Sequence, residues 1–140
     1  NSPSPRRLSV GLERDRLNML LAVLNRHGSM QTWGNDVYAN VVGGIEATEP
    51  AVDLALAMAI SSSVRAKALP SGLLVFGEVG LAGEIRPAAK GQQRLSEAEK
   101  LGFTSALLPR ANMPKKAIPG MTLYPVDRLD QALAIDRNLP

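Results

Sequence analysis

Residues 51–60, AVDLALAMAI, constrain the fold of this chain more than any other stretch. They are apolar on every face of a helix except at Asp53, and a helix without a polar face is stable only when it is buried. Pro50 suits the first helical turn, and Arg65 and Lys67 suit the negative end of the helix dipole. The sequence therefore predicts one central, buried helix, with Lys67 as a solvated cation in its last turn.

Helical and strand patterns alternate on both sides of this segment. Leu17, Leu20, Leu21 and Leu24 have the spacing of an amphipathic helix that begins at RDRLN. GQQRLSEAEKLG and DRLDQALAI are also predicted as helices, the second with Asp127 as its N-cap. The predicted strands are RRLSVGLE, VYANVVGG, a buried GLLVFGE, FTSALLP and MTLYPV, with VGLAGEIRP as a tight hairpin. This alternation indicates an α+β fold with interleaved α/β order, in a single compact domain.

The composition excludes several kinds of site. The chain of 140 residues has no cysteine, so it holds no disulfide, thiolate nucleophile or cysteine-based zinc site. The single histidine, His27, falls at the predicted end of a helix and is interpreted as a partner of the helix dipole. We therefore predict no metal site. No apolar run of about 18 residues is present, so we predict that nothing spans a membrane and that no membrane is a partner. The lack of cysteine fits the cytoplasm, which is the predicted location.

The first residues, NSPSP, are rich in proline and serine. Such a composition resists folding and is typical of linkers. We interpret residues 1–5 as the remnant of a linker and residues 6–140 as the folded domain.

Charge is unevenly distributed along the chain. The formal net charge is only +3, from 16 basic and 13 acidic residues. Residues 86–116, however, contain seven basic residues against two acidic ones, a local excess of +5. Such a segment can form a binding patch for polyanions, and the competing interpretation is an ordinary solvated surface. The seven are Arg86, Lys90, Arg94, Lys100, Arg110, Lys115 and Lys116.

The residues alone do not assemble a convincing catalytic site. A serine nucleophile needs a nearby base and backbone donors such as those at a helix N-terminus. The N-terminus of the central helix holds EPAV, without a hydroxyl or thiol, and residues 61–63, SSS, fall about three turns further along. Glu78 and Glu84 flank the hairpin and could act as an acid–base pair. We interpret them instead as caps for backbone amides or as solvated groups. No GxxxxGK[ST] phosphate loop occurs in the sequence.

Several longer motifs carry a family resemblance. GEVGLAGEIRPAAKGQQRLSEAEKLGF, RRLSVGLERDRLNMLLAVLNRHG, DVYANVVGGIEATEPAVDLALAMAISSS and LLPRANMPKKA together resemble the C-terminal domain of the RadA (Sms) family of bacterial DNA repair proteins. The resemblance covers essentially the whole chain after residue 5.

The resemblance implies partners and cofactors. Members of this family form ring-shaped hexamers that act on single-stranded and branched DNA in recombination and branch migration. They carry a zinc-binding segment and a RecA-like ATPase core upstream of this domain. Zinc, ATP and magnesium are therefore expected in those upstream segments, with no cofactor in this chain. The expected partners are DNA, further copies of the chain in a homo-hexamer, the ATPase core and a recombinase.

The same domain of the family is similar to the proteolytic domain of Lon proteases, which implies a Lon-like fold here. Active Lon domains place a serine in a GPSAG-like turn that opens the buried helix, and here EPAVD puts Ala51 at that position. Their lysine follows a GEVTLRG-like hairpin, and a gap-free count puts Gln92 there, two residues after Lys90. Alanine has no nucleophilic atom and an amide is not a base at neutral pH. The resemblance thus implies the fold of a Ser/Lys peptidase in which both residues of the catalytic dyad are replaced.

Three functional hypotheses follow. The first is a non-catalytic domain for hexamer assembly and sequence-independent DNA binding, in which six cations face phosphates: Arg86, Lys90, Arg94, Arg110, Lys115 and Lys116. The second is an oligomerisation domain whose cations face a neighbouring subunit. The third is an active peptidase with an alternative dyad, Ser63 with Lys67 or Lys90.

Overall fold

The structure is a computed structural model that describes residues 7–10, 14–27, 37–40, 50–65 and 67–139. The predicted linker, residues 1–5, lies outside the described residues, as does the predicted second strand beyond Asn40. The helices are α1 (Arg14–His27), α2 (Asp53–Arg65), α3 (Gly91–Lys100) and α4 (Leu129–Asn138). The strands are β1 (Arg7–Val10), β2 (Val37–Asn40), β3 (Leu73–Val75), β4 (Glu78–Val79), β5 (Ile85–Arg86), β6 (Ser105–Pro109) and β7 (Thr122–Val126). Two short 3-10 turns, Pro50–Val52 and Arg110–Asn112, precede α2 and follow β6.

The described strands form three small sheets. β3, β6 and β7 make a parallel sheet in the order β3-β6-β7, and β1 pairs with β2, also in parallel. β4 and β5 form an antiparallel hairpin. The crossover from β3 to β6 contains the hairpin and α3, as a parallel connection requires. The connection from β6 to β7 is the segment 110–121, which contains one of the 3-10 turns.

The central strand β6 is buried on both faces. Leu107 belongs to the main core cluster, with Leu54 and Met58 of α2. Ala106 and Leu108 point to the other face and pack with residues that include Leu95 of α3. This alternation places helices on both sides of the sheet, since successive side chains of a strand face opposite ways. The predicted central helix is confirmed, with α1, α4 and the sheet packed around it.

The structure confirms a mixed helix and strand architecture, while the Lon-like assignment stays a prediction. Two local predictions are wrong. Arg128, not Asp127, is the N-cap residue of α4, and the side-chain oxygen of Gln131 accepts hydrogen bonds from the backbone N–H groups of both. The strand β3 is half-buried rather than buried, because it lies at an edge of its sheet.

The prediction of a solvated cation at Lys67 is also wrong. α2 ends at Arg65, and the Lys67 ammonium donates to the backbone oxygens of Asp136, Arg137 and Leu139 at 3.1, 3.3 and 3.1 Å. These carbonyls belong to the C-terminal end of α4, where acceptors lack helical partners. Lys67 therefore caps α4 and ties α2 to it.

Within the described residues, no helix is both long and apolar enough to cross a bilayer.

Candidate functional site

Two of the six predicted phosphate-facing cations are held in ion pairs on the protein itself. Arg86 of β5 places its Nη2 2.8 Å from Glu84 and its Nη1 3.4 Å from Glu78, so both carboxylates of the hairpin meet one guanidinium. Arg110 places its Nε 2.9 Å from the carboxylate of Asp127. A cation with a neighbouring carboxylate has part of its field neutralised, so neither arginine is well suited to attract a phosphate.

Hydrogen bonds favour the charged forms of both Glu84 and Arg86 in the hairpin. A hydrogen bond from its own backbone N–H is the main cause that lowers the pKa of the Glu84 carboxyl, and the bond from Arg86 adds to it. The bond to Glu84 likewise raises the pKa of the Arg86 guanidinium. Glu84 also accepts a hydrogen bond from the backbone N–H of Ala82 at 3.1 Å. The prediction that the hairpin carboxylates cap backbone amides is therefore confirmed for Glu84.

Three lysines of the predicted set have a different environment. The side chains of Lys90, Lys115 and Lys116 are exposed. In the part of the chain that the structure describes, their ammonium groups make no hydrogen bond or ion pair. Such groups keep their full charge and their hydration for a partner.

Arg94 is intermediate between the two groups. Its guanidinium lies 5.9 Å from the centroid of the Phe76 ring, and its Nε donates to the backbone oxygen of Ala89 at 3.0 Å. The stem is half-buried by these contacts. A guanidinium stacked on an aromatic ring keeps its charge, so Arg94 both anchors α3 and adds to the positive potential.

Helix α3 separates two shallow surface grooves. The first, of about 640 Å³, is lined by Lys90, Gln93, Arg94, Ser96, Glu97 and Lys100. The second, of about 600 Å³, lies between α3 and the segment 114–119 and is lined by residues that include Gln92, Glu99, Lys115 and Lys116. The unpaired lysines are therefore distributed over both sides of one helix. We call this surface, made of the side chains of α3 together with Lys90, Lys115 and Lys116, the lysine face.

The two segments that carry the lysine face are joined through Asn112. Its side-chain oxygen accepts from the backbone N–H of Ala88 at 2.8 Å, and its side-chain nitrogen donates to the Ala88 oxygen at 3.0 Å. Between Ala88 and α3, Lys90 has φ of 59° and ψ of 37°, a left-handed conformation that is rare for a residue other than glycine. Nothing in the sequence indicated this link, because it joins positions 24 residues apart.

The structure places the two positions of the implied peptidase dyad in different surroundings. Ala51 lies buried in the 3-10 turn before α2, where its backbone oxygen accepts from the N–H of Gly77 at 2.8 Å. Gln92 lies exposed on α3 and lines the groove beside Lys115 and Lys116. Among the described grooves, none is lined by both.

The alternative dyad has competing contacts. The three hydrogen bonds of the Lys67 side-chain nitrogen go to backbone carbonyls at the end of α4, so this group is already used in structural contacts. The hydroxyl of Ser62 donates to the backbone oxygen of Lys67, and Ser61 is fully buried. Ser63 is exposed. These contacts favour a structural role for the serines and for Lys67.

A buried ion pair lies at the other end of α2, and sequence reasoning missed it. Asp53 is 1% exposed, with Oδ1 2.7 Å from Nε of Arg16 on α1. Its Oδ2 accepts from the backbone N–H of Val79 in β4 at 3.1 Å. Burial raises the pKa of the Asp53 carboxyl, against the opposing effects of the Val79 bond and of Arg16. The signal was visible, since Asp53 is the only charged residue of the apolar segment 51–60.

Asp53 also forms part of a third groove, of about 450 Å³, beside the hairpin. Arg16, Glu78, Glu84 and Arg86 contribute the other charges of its lining. Two guanidinium groups and three carboxyl groups meet there, so this groove has no strong excess of either sign. Within the described residues, no cluster of three or more histidine, cysteine or acidic side chains could hold a metal ion.

The chain is similar in sequence to one known protein family and to several DNA repair proteins. The model of a family described as subunit ChlI of Mg-chelatase matches residues 21–112. The chain is 56% identical over 136 residues to the DNA repair protein RadA of Escherichia coli (strain K12), which covers 97% of this chain. Identity is 42% over 132 residues to the protein of the same name from Aquifex aeolicus, and 39% over 132 residues to that from Synechocystis. The chain spans only about 30% of the length of these relatives.

Proposed function

This chain belongs to the family described as subunit ChlI of Mg-chelatase, and we propose that it is the Lon-protease-like C-terminal domain of a RadA-type DNA repair protein. In this proposal the domain has no catalytic activity of its own. It supports assembly of a homo-hexamer and binds single-stranded or branched DNA without sequence preference. Chelatase activity is not part of the proposal, since relatives that match up to 97% of the chain are named for DNA repair.

The observation that carries the DNA-binding proposal is the lysine face. Lys90, Lys115 and Lys116 are exposed and make no side-chain bond to any described residue. Phosphate contacts by such lysines release counterions from the nucleic acid and supply affinity without reading bases. We assign the contact role to these three lysines and a supporting role to Arg94. Arg86 and Arg110, from the predicted set, are assigned to internal ion pairs.

The composition supports binding through the backbone rather than through bases. Only two Phe, two Tyr and one Trp occur in the chain, and Phe76 is buried beneath Arg94. Binding by stacking of bases needs exposed aromatic platforms. A hexamer would repeat three lysine contacts six times, so weak contacts would combine through high effective concentration.

The absence of a peptidase activity is proposed on chemical grounds. Ala51 and Gln92 supply neither a nucleophile nor a base. In a full-length protein of this kind, ATP, magnesium and zinc would bind to upstream segments, including a RecA-like ATPase core. Branch migration, a recombinase partner and a cytoplasmic location belong to the same proposal.

A purely structural oligomerisation domain is the second candidate, and exposed apolar side chains favour it. Leu81 at the tip of the hairpin is 75% exposed and Leu101 after α3 is 71% exposed. Exposed apolar side chains of this size are suited to a protein–protein contact. Under this alternative the lysines would face a neighbouring subunit instead of DNA.

Salt dependence and charge variants test the first candidate against the second. Fluorescence anisotropy with a labelled single-stranded oligonucleotide should show an affinity loss of about 20-fold between 50 and 200 mM salt, for three phosphate contacts. The triple change of Lys90, Lys115 and Lys116 to Ala should abolish most binding. The double change of Arg86 and Arg110 to Ala should have little effect. If the triple variant keeps its DNA affinity but loses its oligomeric state by light scattering, the oligomerisation alternative is correct.

A further inference from the structure

The lysine face is built from two segments that are distant in sequence. Lys90 lies in the loop before α3, whereas Lys115 and Lys116 follow the 3-10 turn Arg110–Asn112. Neither loop has regular secondary structure to fix it against the other. Their relative position depends on side-chain contacts, and the contacts of Asn112 join them directly.

Asn112 binds the Ala88 backbone as a neighbouring strand would. It satisfies both the N–H and the C=O of one residue, at 2.8 and 3.0 Å, from a half-buried position. A paired donor and acceptor fixes orientation as well as distance, and partial burial strengthens both bonds. No other natural side chain of this length offers a donor and an acceptor in one rigid plane.

Gly91 packs against the same side chain from the first turn of α3. A Cβ atom at this position would lie 2.6 Å from Nδ2 and 3.1 Å from Cγ of Asn112. Real Cβ atoms do not approach so closely, so the contact requires glycine. Asn112 is thus in contact with the chain on both sides of Lys90.

Lys90 itself is held in an unfavourable conformation. A left-handed φ costs a residue with a Cβ free energy that its surroundings must offset. Ala88 and Gly91 flank Lys90, and Asn112 contacts both. Asn112 therefore helps to fix the Lys90 backbone, together with the bonds from Arg94 to the backbone oxygens of Ala89 and Lys90.

We propose that Asn112 is the positioning residue of the phosphate-binding surface, the one that holds Lys90 in register with Lys115 and Lys116. This inference rests on the proposed DNA binding. Asn112 need not touch the nucleic acid. Without it, Lys90 leaves the register of the other two lysines, and one phosphate contact is lost.

The test compares Asn112→Ala with the matched control Asn138→Ala. Asn138 makes one side-chain bond, to the Ala134 oxygen at 2.9 Å, and lies on α4 away from the lysine face. We expect Asn112→Ala to weaken binding of a labelled single-stranded oligonucleotide by about 3–10-fold at 50 mM salt. The slope of log affinity against log salt should fall by about 0.7, the value for one lost contact. Asn138→Ala should change neither.

A double-mutant cycle shows whether Asn112 acts through Lys90. Lys90→Ala should cost less than about twofold in the Asn112→Ala background if the two act as one unit. Gly91→Ala provides a second route, since its Cβ would push the Asn112 side chain away from Ala88 without changing the residue at position 112. If Asn112→Ala does not fold, by circular dichroism, the expected loss should still appear with Gly91→Ala.

The outcomes separate the inference from the function on which it rests. Wild-type binding with unchanged affinity and slope in both Asn112→Ala and Gly91→Ala would overturn the positioning role and leave DNA binding intact. A lower affinity with an unchanged slope would also overturn it, because that is the effect of a reduced folded fraction alone. No binding by the wild type at 50 mM salt would overturn the proposed function and this inference with it.

Discussion

Two regions of the molecule, the hairpin with the start of α2 and the lysine face, use their charged side chains in opposite ways. In the first region, Asp53 pairs with Arg16 in the interior, and Arg86 pairs with Glu84 at the surface. On the lysine face, the ammonium groups have no partner among the described residues. Near the hairpin, the charged side chains pair with one another and stabilise the fold. On the lysine face, the charged side chains stay available for a ligand. Counting charges along the sequence cannot make this distinction.

The largest effect is expected at the buried pair. Asp53→Ala removes the buried carboxylate that pairs with the Arg16 guanidinium and accepts from the Val79 N–H, and removal of one member of a buried pair costs about 3–5 kcal/mol. The free energy of unfolding, measured by urea titration, should fall by about 3 kcal/mol. The exposed Asp130 in the first turn of α4 is the control, and its change to Ala should cost less than about 1 kcal/mol. Equal losses in the two variants would show that the hairpin and the start of α2 are not held by this pair.

The pH dependence of stability gives a second test of the same pair. Burial raises the pKa of Asp53 in the folded state above its usual 3.8. The folded state then binds the proton more tightly than the unfolded state, so stability falls as pH rises from about 3.8 through the folded pKa. Asp53→Asn lacks this titration. The stability of the wild type relative to Asp53→Asn should therefore decrease over this pH range, and a constant difference would contradict the raised pKa.

An intermediate loss of stability is expected at Lys67, whose side-chain nitrogen donates to the C-terminal end of α4. Lys67→Met keeps the stem of the side chain but removes three hydrogen bonds to the end of α4. We expect thermal and urea unfolding to show a loss of about 1.5 kcal/mol, as for bonds from a charged donor. Lys100→Met, at an exposed lysine of α3, is the control and should change stability by less than about 0.5 kcal/mol. DNA affinity should not change in Lys67→Met, since Lys67 lies outside the lysine face.

Two variants of Lys90 allow its effects on stability and on DNA binding to be measured separately. Lys90→Gly relieves the left-handed strain, so it should be about 1 kcal/mol more stable than Lys90→Ala, which keeps a Cβ in the same conformation. Both variants lose the ammonium and should bind DNA equally weakly, with a salt slope lowered by about 0.7. Stability measured by urea titration and affinity measured by anisotropy should thus move independently. Equal stability of the two variants would show that Lys90 carries no strain.

The smallest effect is expected at the surface arginine of the hairpin. Arg86→Ala breaks exposed pairs with Glu84 and Glu78, which contribute little to stability because solvent screens them. Its DNA affinity should change by less than about twofold, whereas Lys115→Ala should lower affinity several-fold. A larger loss of affinity in Arg86→Ala than in Lys115→Ala would remove the contrast between the two regions.

Local patterns predicted the secondary structure well, because they depend on neighbouring residues. The leucine spacing gave α1, the apolar segment 51–60 gave α2, and the glycine-flanked GEVGLAGEIR gave the hairpin. The N-cap of α4 was misplaced by one residue, since Gln131 bonds both candidate positions. The half-buried state of β3 was not predictable, because an apolar strand has the same sequence pattern at an edge and at the centre of a sheet.

The candidate site was only partly accessible from the sequence. The excess of cations in residues 86–116 pointed to the part of the chain that carries the lysine face. Its division into paired arginines and unpaired lysines was not visible, since Arg110 meets Asp127 17 positions away. The capping role of Lys67 joins residues 69 positions or more apart and was missed for the same reason.

By itself, the sequence determined which chemical groups are present: no thiol, no serine at the start of the central helix, and one buried-type helix with a single carboxylate. It also determined the order of helices and strands, because propensity and periodicity act over a few residues. Only the tertiary structure decided which charges neutralise one another and which stay available. Ion pairs and hydrogen bonds act over a few ångströms in space, and the folded chain brings Arg16 to Asp53 and Asn112 to Ala88 across long stretches of sequence.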